Sequence, residues 1–228
     1  MTPGRLSALQ VRILSAVAGV QPPWVLAGGA ALVGFHLPHR TTRDLDLFWH
    51  GLSGLGRIPA DVADLLGEAG LDVATLQSSP SFSRLAVRSA GEACTVDLVA
   101  VPAGATGVPD AVRLGERTIL VESAQQLLVA KLCALLGRSE LRDLQDVKAL
   151  VESGRDLEAA VLAAPALDGG FSPLILARLL DTFPVVPVSG VAGLAPSAAA
   201  DLVAFRDRLV EHLLRLAAAE NGCQVRHS

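Results

Sequence analysis

A mixed α/β unit followed by an all-helical unit is the architecture this sequence predicts, and three patterns predict it. Up to about residue 122, short apolar runs alternate with breaks marked by Gly and Pro, and several runs read with period two. After a Gly- and Pro-rich loop at 102–109 the character changes, and from Ser123 the apolar runs take helical spacing. Hydrophobic residues make up 51% of the 228 and charged residues 18%, enough apolar material for one catalytic domain with a helical extension. The expected division is a core at 1–122 and a helical part at 123–228.

The elements follow in order. Leu6, Leu9, Val11, Ile13, Leu14 and Val17 have helical spacing, and Pro22-Pro23 stops that helix. Trp24 to Ala27 reads as a short buried strand that ends at Gly28-Gly29, with a helix from Ala30 to Leu37 closed by Pro38. Arg43 to Trp49 alternates polar and apolar, which is a strand. A helix over 60–69 ends at Gly70, and strands are expected at 71–77, 82–89 and 93–100, with Thr118 to Val121 closing the sheet. Ser123 suits the N-cap of a helix through Leu136, and a second helix covers about 140–152. Short helices are expected near 156–163 and 173–182. The stretch 184–196 carries no charge and several prolines, so it reads as a linker, and 197–219 as a final helix with Leu202, Phe205, Leu209, Leu213 and Leu216 on one stripe.

Composition narrows the function classes. Aromatics are 4% with no Tyr, so base-stacking platforms for single-stranded nucleic acid have little material. A net charge of -4 argues against a surface that is basic throughout, though not against a local basic cleft. Cys94, Cys133 and Cys223 are far apart with no CxxC pair, which points away from a zinc site or a disulfide framework. The opening Met1 to Arg5 leads into a helix interrupted by Arg12 rather than into a secretory core, and no apolar stretch is long enough to span a bilayer, so the cytoplasm is the expected compartment.

The chemistry-bearing pattern is Gly28-Gly29, fourteen residues, then Asp44-Leu45-Asp46-Leu47. On a strand Asp44 and Asp46 share one face while Leu45 and Leu47 take the other. Paired carboxylates suit a hard divalent cation, and a Gly-Gly turn opening a helix lets backbone N–H groups approach a phosphate. The plain alternatives are two solvated strand-end aspartates and an ordinary turn. Asp97 lies in the apolar run Val96 to Val99, where an ionised carboxylate needs a partner. It either faces water on an edge strand or completes a three-carboxylate site with Asp44 and Asp46, able to hold two metals about 3.5–4 Å apart.

Leu26-Ala27-Gly28-Gly29-Ala30, with His36-Leu37-Pro38-His39-Arg40-Thr41-Thr42-Arg43-Asp44-Leu45-Asp46-Leu47-Phe48, resembles the nucleotidyltransferase superfamily that shares the DNA polymerase β fold. Within it the segment is similar to the AbiEii/AbiGii toxin family. A second block, Lys131 to Arg138 followed by Leu141-Arg142-Asp143-Leu144-Gln145-Asp146-Val147, is close to that family's lysine and Arg-Asp-x-x-Asp helices. The resemblance implies a polymerase-β-type core with a mixed sheet and helices, whose cleft the helical part completes. It also implies transfer of a nucleoside monophosphate from an NTP, with Mg²⁺ or Mn²⁺ on Asp44, Asp46 and Asp97. The implied acceptor is tRNA and the implied partner an antitoxin.

By the same resemblance Gly28, Gly29, Lys131, Arg138 and Arg142 bind the nucleotide, and Asp143 is a site acid or base. Asp146 would orient Lys131 or Arg142. Lys131 and Arg138, seven apart, share a helix face and would reach triphosphate oxygens together. The plain readings are a lysine that snorkels from an apolar helix and a solvated salt-bridging face at 142–148. Ser81, Ser83 and Arg84 are secondary candidates for nucleotide contact. His36, His39 and Arg40 either receive an acceptor or cap a helix, and Arg40, Arg43, Arg138 and Arg142 are the arginines expected near RNA. A small-molecule acceptor and a non-catalytic module of the same fold are the alternatives, the first favoured by the low positive charge.

Overall fold

The structure is a computed structural model that describes residues 4–103 and 107–224. The Met1–Pro3 opening, the middle of the loop at 102–109 and the side chain of Cys223 lie outside the described residues. Two compact units divide between Leu127 and Leu128.

The first unit is built on one seven-stranded mixed sheet. Its strands are β1 (Val25–Ala27), β2 (Asp44–His50), β3 (Asp72–Ser78), β4 (Phe82–Ser89), β5 (Glu92–Val101), β6 (Asp110–Leu114) and β7 (Arg117–Val121). The order across the sheet is β3-β4-β5-β2-β1-β7-β6. β2 runs antiparallel to β1 and parallel to β5, and β1 runs parallel to β7. The period-two reading of β2 survives intact: Leu45, Leu47 and Trp49 are buried while Asp44, Asp46 and Phe48 are partly exposed. Helix α1 (Ala8–Val17) starts from a capping box in which Ser7 and Gln10 each accept from the other's backbone. The two tryptophans lock this end of the unit. Trp24 Nε1 donates to the Val17 carbonyl and Trp49 Nε1 to the Pro22 carbonyl, both at 2.8 Å.

Two elements depart from expectation here. The helix after β1 begins at Gly28 itself, runs as α2 (Gly28–Ala31), and then widens to a π-helical turn at Leu32–His36. β6 was not expected: its alternation rests on Val112 and Leu114 alone, and an exposed edge strand needs no stronger apolar signal. Helix α3 (Ile58–Glu68) packs against α1 through Ile58, Val62 and Leu66.

Helix α4 (Ala124–Arg138) opens at Ser123, whose Oγ accepts from Gln126 N while Gln126 Oε1 accepts from Ser123 N, the capping box that the N-cap reading anticipates. The second unit continues with α5 (Leu141–Glu152), α6 (Leu157–Leu167), α7 (Pro173–Asp181), α8 (Val185–Val191) and α9 (Pro196–Gln224). The linker expected at 184–196 is corrected by α8. Pro187 occupies its first turn, where a backbone N–H has no intrahelical acceptor, so the proline removes no bond. Val185 and Ser189, one turn apart, are buried, and α8 packs on α9. The α9 stripe buries Leu202, Phe205, Leu209 and Leu213 as its spacing predicts. Among the described residues no single helix is long and apolar enough to cross a membrane.

Candidate active site

β2 delivers Asp44 and Asp46 to one face, and its neighbours decide what surrounds them. Asp46 pairs with Ala27 of β1 on one side and with Asp97 of β5 on the other. The residue after Ala27 is Gly28, with φ +63, and a Cβ there would overlap the Asp46 carboxylate, its Cγ lying 3.0 Å away. Glycine is therefore required twice, by the backbone conformation and by the closeness of Asp46. Gly29 has ordinary φ, but a Cβ on it would meet Arg40 Nη2 at 3.0 Å and Thr42 Oγ1 at 3.3 Å. The Gly-Gly turn is thus flanked by a carboxylate on one residue and a guanidinium on the next. Behind it, His36 Nε2 donates to the Glu122 carbonyl at 2.7 Å and ties the π-helical turn to the end of β7.

Asp97 is not an isolated carboxylate. Arg84 Nε and Nη2 donate to its two oxygens, each at 2.7 Å, in a bidentate pair. The Arg84 guanidinium also lies 5.6 Å from the centre of the Phe82 ring. Its pKa is raised by the bonds and charge of Asp97, then by the charges of Asp44 and Asp46. Asp97, directly across from Asp46, is thus held in an Arg–Asp pair beside Asp44 and Asp46. Among the described residues no group of three Asp, Glu, His or Cys side chains is gathered to hold one ion. The donors of β2 nevertheless suit a hard cation, since both are carboxylates on one face. Cys94 does not compete as a soft ligand: burial, and then Asp44 and Asp46, push its thiol up to about 12.

In the helical unit a second charged cluster is fully built. Lys131 is buried, and its ammonium lies 2.9 Å from Asp143 Oδ1 and 2.8 Å from Asp146 Oδ2, both carboxylates being fully buried. Arg138 reaches Asp143 from outside, Nε to Oδ2 at 2.7 Å and Nη2 to Oδ1 at 2.9 Å. Burial raises the Asp143 pKa, but the bonds from Arg138 and the charge and bond of Lys131 outweigh it and hold the carboxyl below its ordinary value. Arg142 pairs with Glu140.

The pattern of the family described as nucleotidyl transferase AbiEii toxin, type IV TA system, matches residues 12–213. The chain belongs to the AbiEii family of nucleotidyltransferase toxins. The crystal structure of JHP933 from Helicobacter pylori is similar over 95% of each chain, with 21% identity and a TM-score of 0.57. The solution structure of the antibiotic-resistance factor ANT(2'')-Ia is similar over 72% of this chain and 94% of that one, with 13% identity and a TM-score of 0.50. These likenesses are of fold, the polymerase-β-like nucleotidyltransferase fold. Among curated proteins none matches this chain.

In this AbiEii-family protein the residues quoted for the resemblance fall into two groups. Gly28, Gly29, Asp44, Asp46 and Asp97 come together at one end of β1, β2 and β5. Lys131, Arg138, Asp143 and Asp146 come together across α4 and α5, and Asp146 meets the Lys131 ammonium as a residue that orients it would. Ser83, a secondary candidate, is buried and donates to the Gln77 carbonyl. The Arg84–Asp97 pair was missed, although a signal existed. Ser89 and Glu92 are separated by Ala90-Gly91 alone, and both of these have positive φ, as a two-residue hairpin turn demands. That turn fixes the register which sets Arg84 opposite Asp97.

Proposed function

We propose that this protein is a Mg²⁺- or Mn²⁺-dependent enzyme that transfers a nucleoside monophosphate from an NTP to an RNA, with tRNA as the acceptor. The observation that carries the reading is the contact of Asp46 with Gly28: a cation-binding strand and a phosphate-approaching turn are built against each other. Asp44 and Asp46 would hold the cation, with Asp97 as the third carboxylate. Bound there, the metal supplies Lewis-acid polarisation of the phosphoryl oxygens and of the attacking hydroxyl. Backbone N–H groups at Gly28 and Gly29, at the start of α2, orient the triphosphate, and Arg40 beside Gly29 adds positive charge.

In the helical unit we assign phosphate contact to Arg138 and Arg142, whose guanidinium groups are half exposed. The burial of Lys131 and its two carboxylate partners favours an indirect role, fixing Asp143 and through it Arg138, over direct contact with phosphate. Asp143, held as a carboxylate, suits that positioning role better than that of a proton donor. The reaction belongs in the cytoplasm, where NTP and tRNA are available, and an antitoxin would restrain it. A small-molecule acceptor is the second reading, favoured by the net charge of -4.

The test is incubation with each labelled NTP, Mg²⁺ and total cellular RNA, with Asp46→Asn as the control. RNA of tRNA size should acquire label, and Asp46→Asn should lower the rate at least about a hundredfold while melting near the wild-type temperature. Near-normal transfer by Asp46→Asn would sink the metal assignment. If no RNA takes label from any NTP, the small-molecule reading replaces the RNA one.

A further inference from the structure

Arg84 is a charged side chain of the sheet that makes no contact assigned above to metal or nucleotide. Its place is set by two registers: Arg84 is opposite Asp97 across β4 and β5, and Asp97 is opposite Asp46 across β5 and β2. Residues paired directly across neighbouring strands share a face. Arg84, Asp97 and Asp46 therefore form one row, with Asp44 two residues along on the same face. Asp97, between the other two, accepts from Arg84 on both oxygens.

We propose that Arg84 is a built-in counter-ion to Asp97 that competes with a divalent ion for this carboxylate, so that the guanidinium weakens Asp97 as the third ligand. The proposal rests on the assignment of Asp44 and Asp46 as metal ligands. Three observations support it. Arg84 donates to both carboxylate oxygens, so each spends one lone pair on the guanidinium and is a poorer donor to a cation. The Arg84 side chain is 44% exposed against 12% for Asp97, so the guanidinium has water to move into whereas the carboxylate is anchored. The Phe82 ring, 5.6 Å from the guanidinium, gives it a second partner besides Asp97. A purely structural pair would have the same bond lengths but would not change the affinity of the neighbouring carboxylates for metal through Asp97 in particular.

Arg84 is thus a positioning residue, acting through Asp97, and it lowers the affinity for metal without nucleotide. The experiment is Mn²⁺ titration of the full chain without nucleotide, by calorimetry and by electron paramagnetic resonance. The proteins are wild type, Arg84→Gln, Arg84→Lys, Asp97→Asn, the Arg84→Gln/Asp97→Asn double variant and Asp46→Asn, each with a thermal melt. Arg84→Gln, which removes the charge, should bind Mn²⁺ about tenfold more tightly than wild type. Arg84→Lys, a cation without the planar fork, should fall between the two. The gain should shrink to little or nothing when Asp97 is Asn, because Arg84 then has no carboxylate to compete for. If Arg84→Gln does not fold, the comparison of wild type with Arg84→Lys carries the test, with tightening expected. Equal or weaker Mn²⁺ binding by a folded Arg84 variant, with binding lost in Asp46→Asn, overturns this inference and leaves the metal assignment standing. The inference also fails if the gain persists in full in the Asp97→Asn background. Absence of Mn²⁺ binding by every protein overturns both.

Discussion

At the scale of single residues, the two glycines of the turn are not equivalent. Gly28 combines φ +63 with a carboxylate against its Cα, whereas Gly29 meets only the flexible tip of Arg40 and the Thr42 hydroxyl. Gly28→Ala should destabilise the fold by about 1–3 kcal/mol through backbone strain and displace Asp46, so thermal melting and turnover should fall together. Gly29→Val should fold, because Arg40 can move aside, yet lose Mg-NTP binding as the branched side chain fills the place of phosphate oxygens. Isothermal titration separates the cases: unchanged Mg-NTP affinity in Gly29→Val would leave the turn with a structural role alone.

At the scale of elements, α4 and α5 are joined by a network of two cations and two fully buried carboxylates, and Lys131 is its buried cation. Lys131→Met leaves Asp143 and Asp146 buried without the ammonium, which should cost about 3–5 kcal/mol at neutral pH by denaturant unfolding. The pH dependence has a definite sign. In the wild type Asp143 is held below the unfolded carboxyl value, so its contribution is complete above about pH 4 and is lost as pH falls through the lower folded value. In the variant the Arg138 bonds remain but the charge and bond of Lys131 are gone, so the folded value moves up and the stability deficit should shrink as pH is lowered. A deficit independent of pH would mean that Lys131 acts by packing alone. The sequence made the α4 and α5 helices legible and singled out Lys131, but seven-residue spacing could not say that its ammonium turns to α5. Likewise the period-two run of β2 announced Asp44 and Asp46 on one face, because local alternation is all that a strand requires. The partners of β5, and the helical state of α8 with Pro187 in its first turn, depended on pairing and packing that lie outside any short window.

For the whole molecule, an acidic protein that handles tRNA must bind it through a compact patch, since phosphate contacts dominate such affinity and the net charge is -4. Arg40 is placed beside Gly29, so the better probes of an RNA surface are Arg43 and Arg142, both on the exterior. Arg43→Gln with Arg142→Gln should weaken tRNA binding and lower the slope of log affinity against log salt by about 1–2, and Arg43→Gln alone should leave Mg-NTP binding intact. Fluorescence anisotropy across a salt series measures this, and an unchanged slope would remove both residues from the RNA contact. The topology of the sheet also bears on how such an enzyme comes into being. Asp46 lies beside Asp97 only because β2 pairs in parallel with β5, and β1 is flanked by β7 only after residues 117–121 exist. Until β5 has emerged as well, a chain leaving the ribosome has β1 and β2 as a lone two-stranded pair, which is marginal in water. Non-local parallel pairing forms late, after its loop-closure entropy has been overcome. Closure of the sheet over β1 therefore waits for synthesis of more than half the polypeptide, a delay written into strand order.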